Sequence, residues 1–124
     1  MLLVDDHESL RQELRSLLSK HEEIDVIGDV GDAVQALTFI RSCQPHVVVL
    51  DLNMPKMNGI EAAGVIKTSW PGITIIGLCL MQDSYTMNAF LRAGATAVIS
   101  KSDKTQEVLP LAIKRACPRV PPAG

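Results

Sequence analysis

The stretch Val47-Val48-Val49-Leu50-Asp51 decides how this chain folds. Four apolar residues in succession mark a strand dry on both faces, because a strand with one wet face alternates apolar and polar residues. Such a strand belongs in the middle of a parallel sheet covered by helices on both sides. It ends in a carboxylate. The shorter run Leu2-Leu3-Val4 ends in two, Asp5 and Asp6. If both runs are parallel strands of one sheet, the three acids meet at one edge, where like charges a few ångströms apart resist simultaneous ionisation. A hard divalent cation such as Mg2+, which prefers carboxylate oxygen and keeps several waters, relieves that crowding.

Outward from this strand the chain reads as strand then helix, repeated five times. After Leu2 to Val4, the stripe Leu10, Leu14, Leu17 and Leu18 predicts an amphipathic helix ending near Lys20. Ile24 to Val30 reads as the second strand, with Asp32 capping a helix whose inward face carries Ala33, Leu37 and Ile40. Pro45 marks the boundary before the central strand. A third helix is expected from about Ile60 to Ser69, stopped by Trp70-Pro71-Gly72, and then a strand from Thr74 to Cys79. Ser84 to Ala93 is the fourth helix, closed by Gly94 in a left-handed cap, and Ala97 to Ser100 the last strand. Ser102 and Asp103 are positioned to cap a final helix carrying Val108, Leu109, Ala112 and Ala116. Pro110 implies that this helix starts late or kinks, since proline suits only a first turn. Three prolines and a glycine in 118–124 read as the start of a linker, which leaves 1–117 as one domain.

Composition agrees with one globular α/β domain: 124 residues, 47% hydrophobic and 21% charged. The longest apolar runs fall far short of the roughly 20 residues of a membrane helix, and the amino terminus has no secretion-signal pattern, so a cytoplasmic location is expected. Cys43, Cys79 and Cys117 are odd in number and lack Cys-x-x-Cys spacing, which argues for reduced thiols rather than a disulfide scaffold or zinc site. A net charge of −2 without a Lys/Arg cluster argues against direct nucleic-acid binding.

Alternating strands and helices imply right-handed crossovers and a doubly wound sheet, whose ligand sites lie beyond the carboxyl ends of the strands. Asp5, Asp6, Asp51 and Lys101 all fall at such ends. Asp5, Asp6 and Asp51 are candidate metal ligands, and the main-chain carbonyl of Asn53 can complete the coordination. Asp51 is the candidate nucleophile for a phosphoryl group, with Lys101 balancing charge and pairing with a phosphoryl oxygen. Singly, each residue has an ordinary alternative: Asp6 can cap the first helix, Asp51 can be a turn residue, and Lys101 a solvated charge. Convergence at the ends of three strands favours the functional alternative. His7, beside the pocket, reads as a solvated helix-start residue, with contact to substrate or metal-bound water as the alternative.

The sequences Leu2-Leu3-Val4-Asp5-Asp6-His7, Val47 through Pro55 with Gly59, Arg92-Ala93-Gly94-Ala95 and Ile99-Ser100-Lys101 closely resemble the receiver domain of two-component response regulators. The likeness extends to about Cys117 and implies a flavodoxin-like (βα)5 fold with strand order 2-1-3-4-5. It implies Asp51 as phosphoacceptor, Asp6 as direct and Asp5 as water-mediated Mg2+ ligand, Asn53 as backbone ligand, and Lys101 as the phosphate-pairing lysine. A histidine kinase would be the phosphodonor and a homodimer a product of the switch. Ser102 after Lys101 and the Pro55 to Gly59 loop resemble the branch carrying a LuxR-type helix-turn-helix output domain, through which alone DNA would be contacted. That output domain is absent from these residues, which reads as a piece of a longer regulator.

Two positions depart from the family. Cys79 stands at the switch position, where the family uses a threonine or serine hydroxyl, and Val98 where it uses an aromatic ring. A thiol is a weak donor and valine has no ring to turn. Three functions therefore compete: a phosphoacceptor module that is not an enzyme beyond its own phosphoryl transfer and dephosphorylation, a degenerate receiver that binds a partner without phosphorylation, and a Mg2+-dependent aspartyl-phosphate phosphatase. The last lacks an acid two residues after Asp51, where Asn53 stands.

Overall fold

The computed structural model describes residues 1–80, 83–101 and 105–116. Ten elements alternate along the chain: β1 Leu2–Val4, α1 Glu8–Leu18, β2 Gly28–Val30, α2 Ala33–Cys43, β3 Val47–Asp51, α3 Gly59–Ser69, β4 Thr74–Cys79, α4 Ser84–Ala93, β5 Ala95–Ser100 and α5 Thr105–Ala116. The five strands are all parallel and lie in the order β2-β1-β3-β4-β5, so β3 is central as its unbroken apolar run requires.

Strand side chains point alternately to the two faces and divide the core in two. Val48 and Leu50 join Leu2, Val4, Ile75 and Phe90 in one layer beneath α2, α3 and α4. Val47 and Val49 join Leu3, Ile76, Leu78 and Ile99 in the other, against α1 and α5. Phe90 is fully buried, and truncating such a ring to alanine typically costs about 3–5 kcal/mol.

Several boundaries differ from the sequence expectation, each for a local reason. The second strand is only Gly28–Val30, because the Ile24 N–H bonds the His21 carbonyl in a turn. Ile24 still buries its side chain, so hydrophobicity there reports the core and not the ladder. On α2 the buried residues are Ala33, Ala36 and Ile40, while Leu37 is only partly covered. The last strand begins at Ala95, two residues earlier than its periodicity suggests, because the register slips between Ile75 and Ile76 and leaves Thr96 unpaired and exposed.

The helix ends follow their sequence signals. Asp32 accepts from the Gln35 N–H at 2.8 Å, Asn58 from Glu61 at 2.9 Å and Asp83 from Thr86 at 2.7 Å. Gly94 closes α4 at φ +124°, and a Cβ there would lie 2.3 Å from Lys67 Cγ, so both conformation and space demand glycine. α5 runs through Pro110 rather than starting after it; the proline lacks the N–H that would reach the Gln106 carbonyl, so the helix loses one bond there. Ser102, Asp103 and the proline-rich 118–124 lie outside the described residues.

Candidate metal and phosphoryl site

The carboxyl ends of β1, β3 and β5 deliver their charges to one point. Lys101 Nζ lies 2.8 Å from Asp5 Oδ2 and 2.9 Å from Asp51 Oδ1. All three side chains are at most one-tenth exposed, and Asp51 is wholly buried. The backbone fixes each. Asp5 N–H bonds the Val30 carbonyl, Lys101 N–H bonds the Cys79 carbonyl at 2.7 Å, and Leu52 N–H, just after Asp51, bonds Leu78 at 2.9 Å. Neighbouring strands thus hold the three groups in register rather than leaving them on mobile loops.

The loop after β3 doubles back over Asp51. Gly59 N–H bonds the Leu52 carbonyl at 2.8 Å, and a Cβ on Gly59 would sit 2.3 Å from the Asp51 carbonyl oxygen. Only glycine permits that approach. Asn53 N–H reaches toward Asp51 Oδ1 at 3.4 Å.

Asp6 is at the rim and exposed, and it does not cap α1; the N-cap is His7, with no side-chain cap bond. His7 is exposed as its position suggests, yet its Nδ1 stands 3.2 Å from Asp5 Oδ1 and 3.0 Å from Asp6 Oδ1. One ligand atom each from Asp5, Asp6, His7 and Asp51 fall within 4.8 Å of one another.

Arg11 is a residue that the sequence reading did not single out. Its guanidinium donates to the Asp5 carbonyl at 2.6 Å and to Asp29 Oδ1 at 2.9 Å, tying α1 and β2 to the end of β1. Arg15 takes the other Asp29 oxygen at 2.6 Å. Burial pushes the Asp29 carboxyl up, but the two guanidinium groups together hold it below the usual range. The available signal was the placement of Arg11 and Arg15 one helical turn apart, which aims both at one partner.

Three carboxylates, Asp5, Asp6 and Asp51, face one ammonium, that of Lys101. Burial raises the Asp51 carboxyl above its usual range and the Asp5 charge adds to this, while Lys101 opposes without prevailing. Burial lowers the Lys101 ammonium, but its hydrogen bonds and charge pairing with Asp5 and Asp51 outweigh it and the net shift is upward. One lysine is therefore too little positive charge for this site. Asp51 Oδ2 is buried without a hydrogen-bond partner, and Asp5 Oδ2 has the ammonium contact alone. Oxygen donors, excess negative charge and an orphaned buried lone pair suit a divalent cation.

Cys79 ends β4 as a buried thiol, raised above its usual range by burial and then by the charges of Asp83 and Asp51. Val98 is half-buried against the α2–α3–α4 core.

Response regulator receiver domains match residues 1–113. The chain belongs to that family. This receiver domain is 35% identical over 113 residues to the DNA-binding transcriptional activator DevR/DosR of Mycobacterium tuberculosis, covering 87% of the chain and 50% of that protein. It is 28% identical over 101 residues to the transcriptional regulatory protein DegU of Brevibacillus brevis, covering 82% and 43%. Among solved structures it resembles a LuxR-family response regulator from Aurantimonas sp., at 31% identity and TM-score 0.87 over 92% of this chain and 81% of that one. The receiver spans about half or less of these two curated relatives. Among the described residues no helix is long and apolar enough to cross a membrane.

Proposed function

We propose that this receiver domain takes a phosphoryl group from a histidine kinase onto Asp51, and that 1–117 is the switching unit with 118–124 leading into a LuxR-type DNA-binding output domain. The observation that carries the assignment is Asp51 Oδ2, a buried carboxylate oxygen with no hydrogen-bond partner beside a paired ammonium. One oxygen of the Asp51 carboxylate forms the new bond to phosphorus as the donor's phosphorus–nitrogen bond breaks and its electron pair stays with the donor imidazole.

Asp5, Asp6, Asp51 and the Asn53 carbonyl would hold Mg2+, which neutralises charge on the transferring phosphoryl oxygens. Lys101, already shared between Asp5 and Asp51, balances the charge that arrives and pairs with one of those oxygens. Gly59 and the strand hydrogen bonds hold the Asp51 backbone still while its side chain reacts. Incubation with acetyl phosphate and Mg2+, read by intact-protein mass, should add one phosphoryl group to the wild type and none to Asp51→Asn. Equal labelling of both proteins, or of neither, would reject the assignment; labelling of neither would favour a receiver that works without phosphorylation, in keeping with Cys79 and Val98.

A further inference from the structure

We infer that His7 makes the acidic cluster a mixed nitrogen and oxygen site that prefers a later first-row divalent ion, such as Co2+, to Mg2+. The inference rests on the reading that Asp5, Asp6 and Asp51 hold a divalent cation, and adds to it which cation they hold best.

The imidazole is placed by more than proximity in sequence. His7 N–H donates to Asp5 Oδ1 at 2.8 Å, which fixes the backbone at the start of α1 against the buried acid. Its Nδ1 then stands 3.2 Å from that same oxygen and 3.0 Å from Asp6 Oδ1. With its hydrogen on Nε2, Nδ1 would offer its lone pair to a cation held among those oxygens. The orphaned Asp51 Oδ2 supplies an independent, wholly buried oxygen that calls for a cation.

The consequence is selectivity. Mg2+ favours oxygen and retains its waters, and so gains little from an imidazole. Affinity for nitrogen-containing sites rises from Mn2+ through Co2+ to Ni2+, and imidazole suits those ions. Asp5, Asp6 and Asp51 are enough for Mg2+; His7 contributes only when the ion accepts nitrogen.

Calorimetric titration of the full chain with Mg2+ and with Co2+, together with the Co2+ visible spectrum, tests this. His21→Gln and His46→Gln are built in throughout, so that two other imidazoles do not contribute. Two variants are compared with that parent: His7→Asn, which keeps a good N-cap residue and replaces nitrogen by oxygen, and His7→Phe. Both should lower Co2+ affinity about tenfold, shift the Co2+ bands, and leave Mg2+ affinity within about twofold. Co2+ affinity and bands unchanged in both variants, or Co2+ and Mg2+ weakened equally, would overturn the role of His7 while leaving the oxygen site intact. A parent protein that takes up neither ion would overturn the metal reading itself.

Discussion

At the scale of single residues, the site is a buried charge imbalance. Asp5 and Asp51 are kept tolerable by one ammonium, and removing one partner from a buried ionic cluster typically costs about 3–5 kcal/mol. Lys101→Met should therefore destabilise the metal-free domain by about 3 kcal/mol at neutral pH in urea unfolding. The sign with pH follows from the direction of the shift. Asp51 binds its proton more readily folded than unfolded, so metal-free stability falls as pH rises from the ordinary carboxylate range through the raised value of Asp51. In Lys101→Met the two acids lose their ammonium, so the penalty should shrink on mild acidification and shrink also on adding Mg2+. A penalty equal at neutral and acidic pH would show that lost packing, and not charge, is responsible. The acids and lysine of this site were legible in the sequence, because strand ends are easy to locate once the apolar runs are found. Arg11 was not, and His7 was placed beside the pocket but read first as a solvated helix-start residue. Their roles depend on side-chain direction across the start of α1, which residue spacing does not resolve.

At the scale of elements, the strands announced themselves by hydrophobicity and the helices by caps and stripes, and the exceptions are instructive. Ile24 satisfies the apolar pattern of a strand yet packs from a turn, and the extra residue at Thr96 hides the true start of β5. Neither a turn that buries its side chain nor a bulge leaves a period of two to count. The loop from β3 to α3 matters most to function, because it sets how rigidly Asp51 is held. Gly59→Ala would press a methyl group into the Asp51 carbonyl at a separation of 2.3 Å, and backbone there cannot yield as a flexible side chain can. The expected cost is about 1–3 kcal/mol by thermal unfolding. Because the displaced atom belongs to Asp51, the proposed acceptor, the rate of labelling by acetyl phosphate should fall more than its final extent. A loss of stability with an unchanged labelling rate would separate the loop from the chemistry.

At the scale of the whole molecule, the question is how a reaction at Asp51 reaches a partner surface. Cys79 links the two, since its carbonyl holds the Lys101 N–H and its strand runs toward α4. Around that end of the fold Leu80 and Tyr85 are exposed at 61% and 85%, large apolar surface available to a second subunit. A phosphoryl group shifts a conformational equilibrium only by what it bonds differently in the two states. A hydroxyl at position 79 could grasp it firmly, whereas a thiol is a weak donor, so the native switch is expected to be shallow. Cys79→Thr supplies a hydrogen bond worth about 0.5–1.5 kcal/mol, equivalent to a roughly twofold to thirteenfold stronger phosphorylation-dependent dimer. Light scattering on acetyl phosphate-treated wild type and variant, each against its Asp51→Asn counterpart, measures this directly. If the variant is phosphorylated to the same extent and its dimer fraction does not rise, the hydroxyl is not what the switch lacks, and the missing ring at Val98 becomes the element that limits coupling.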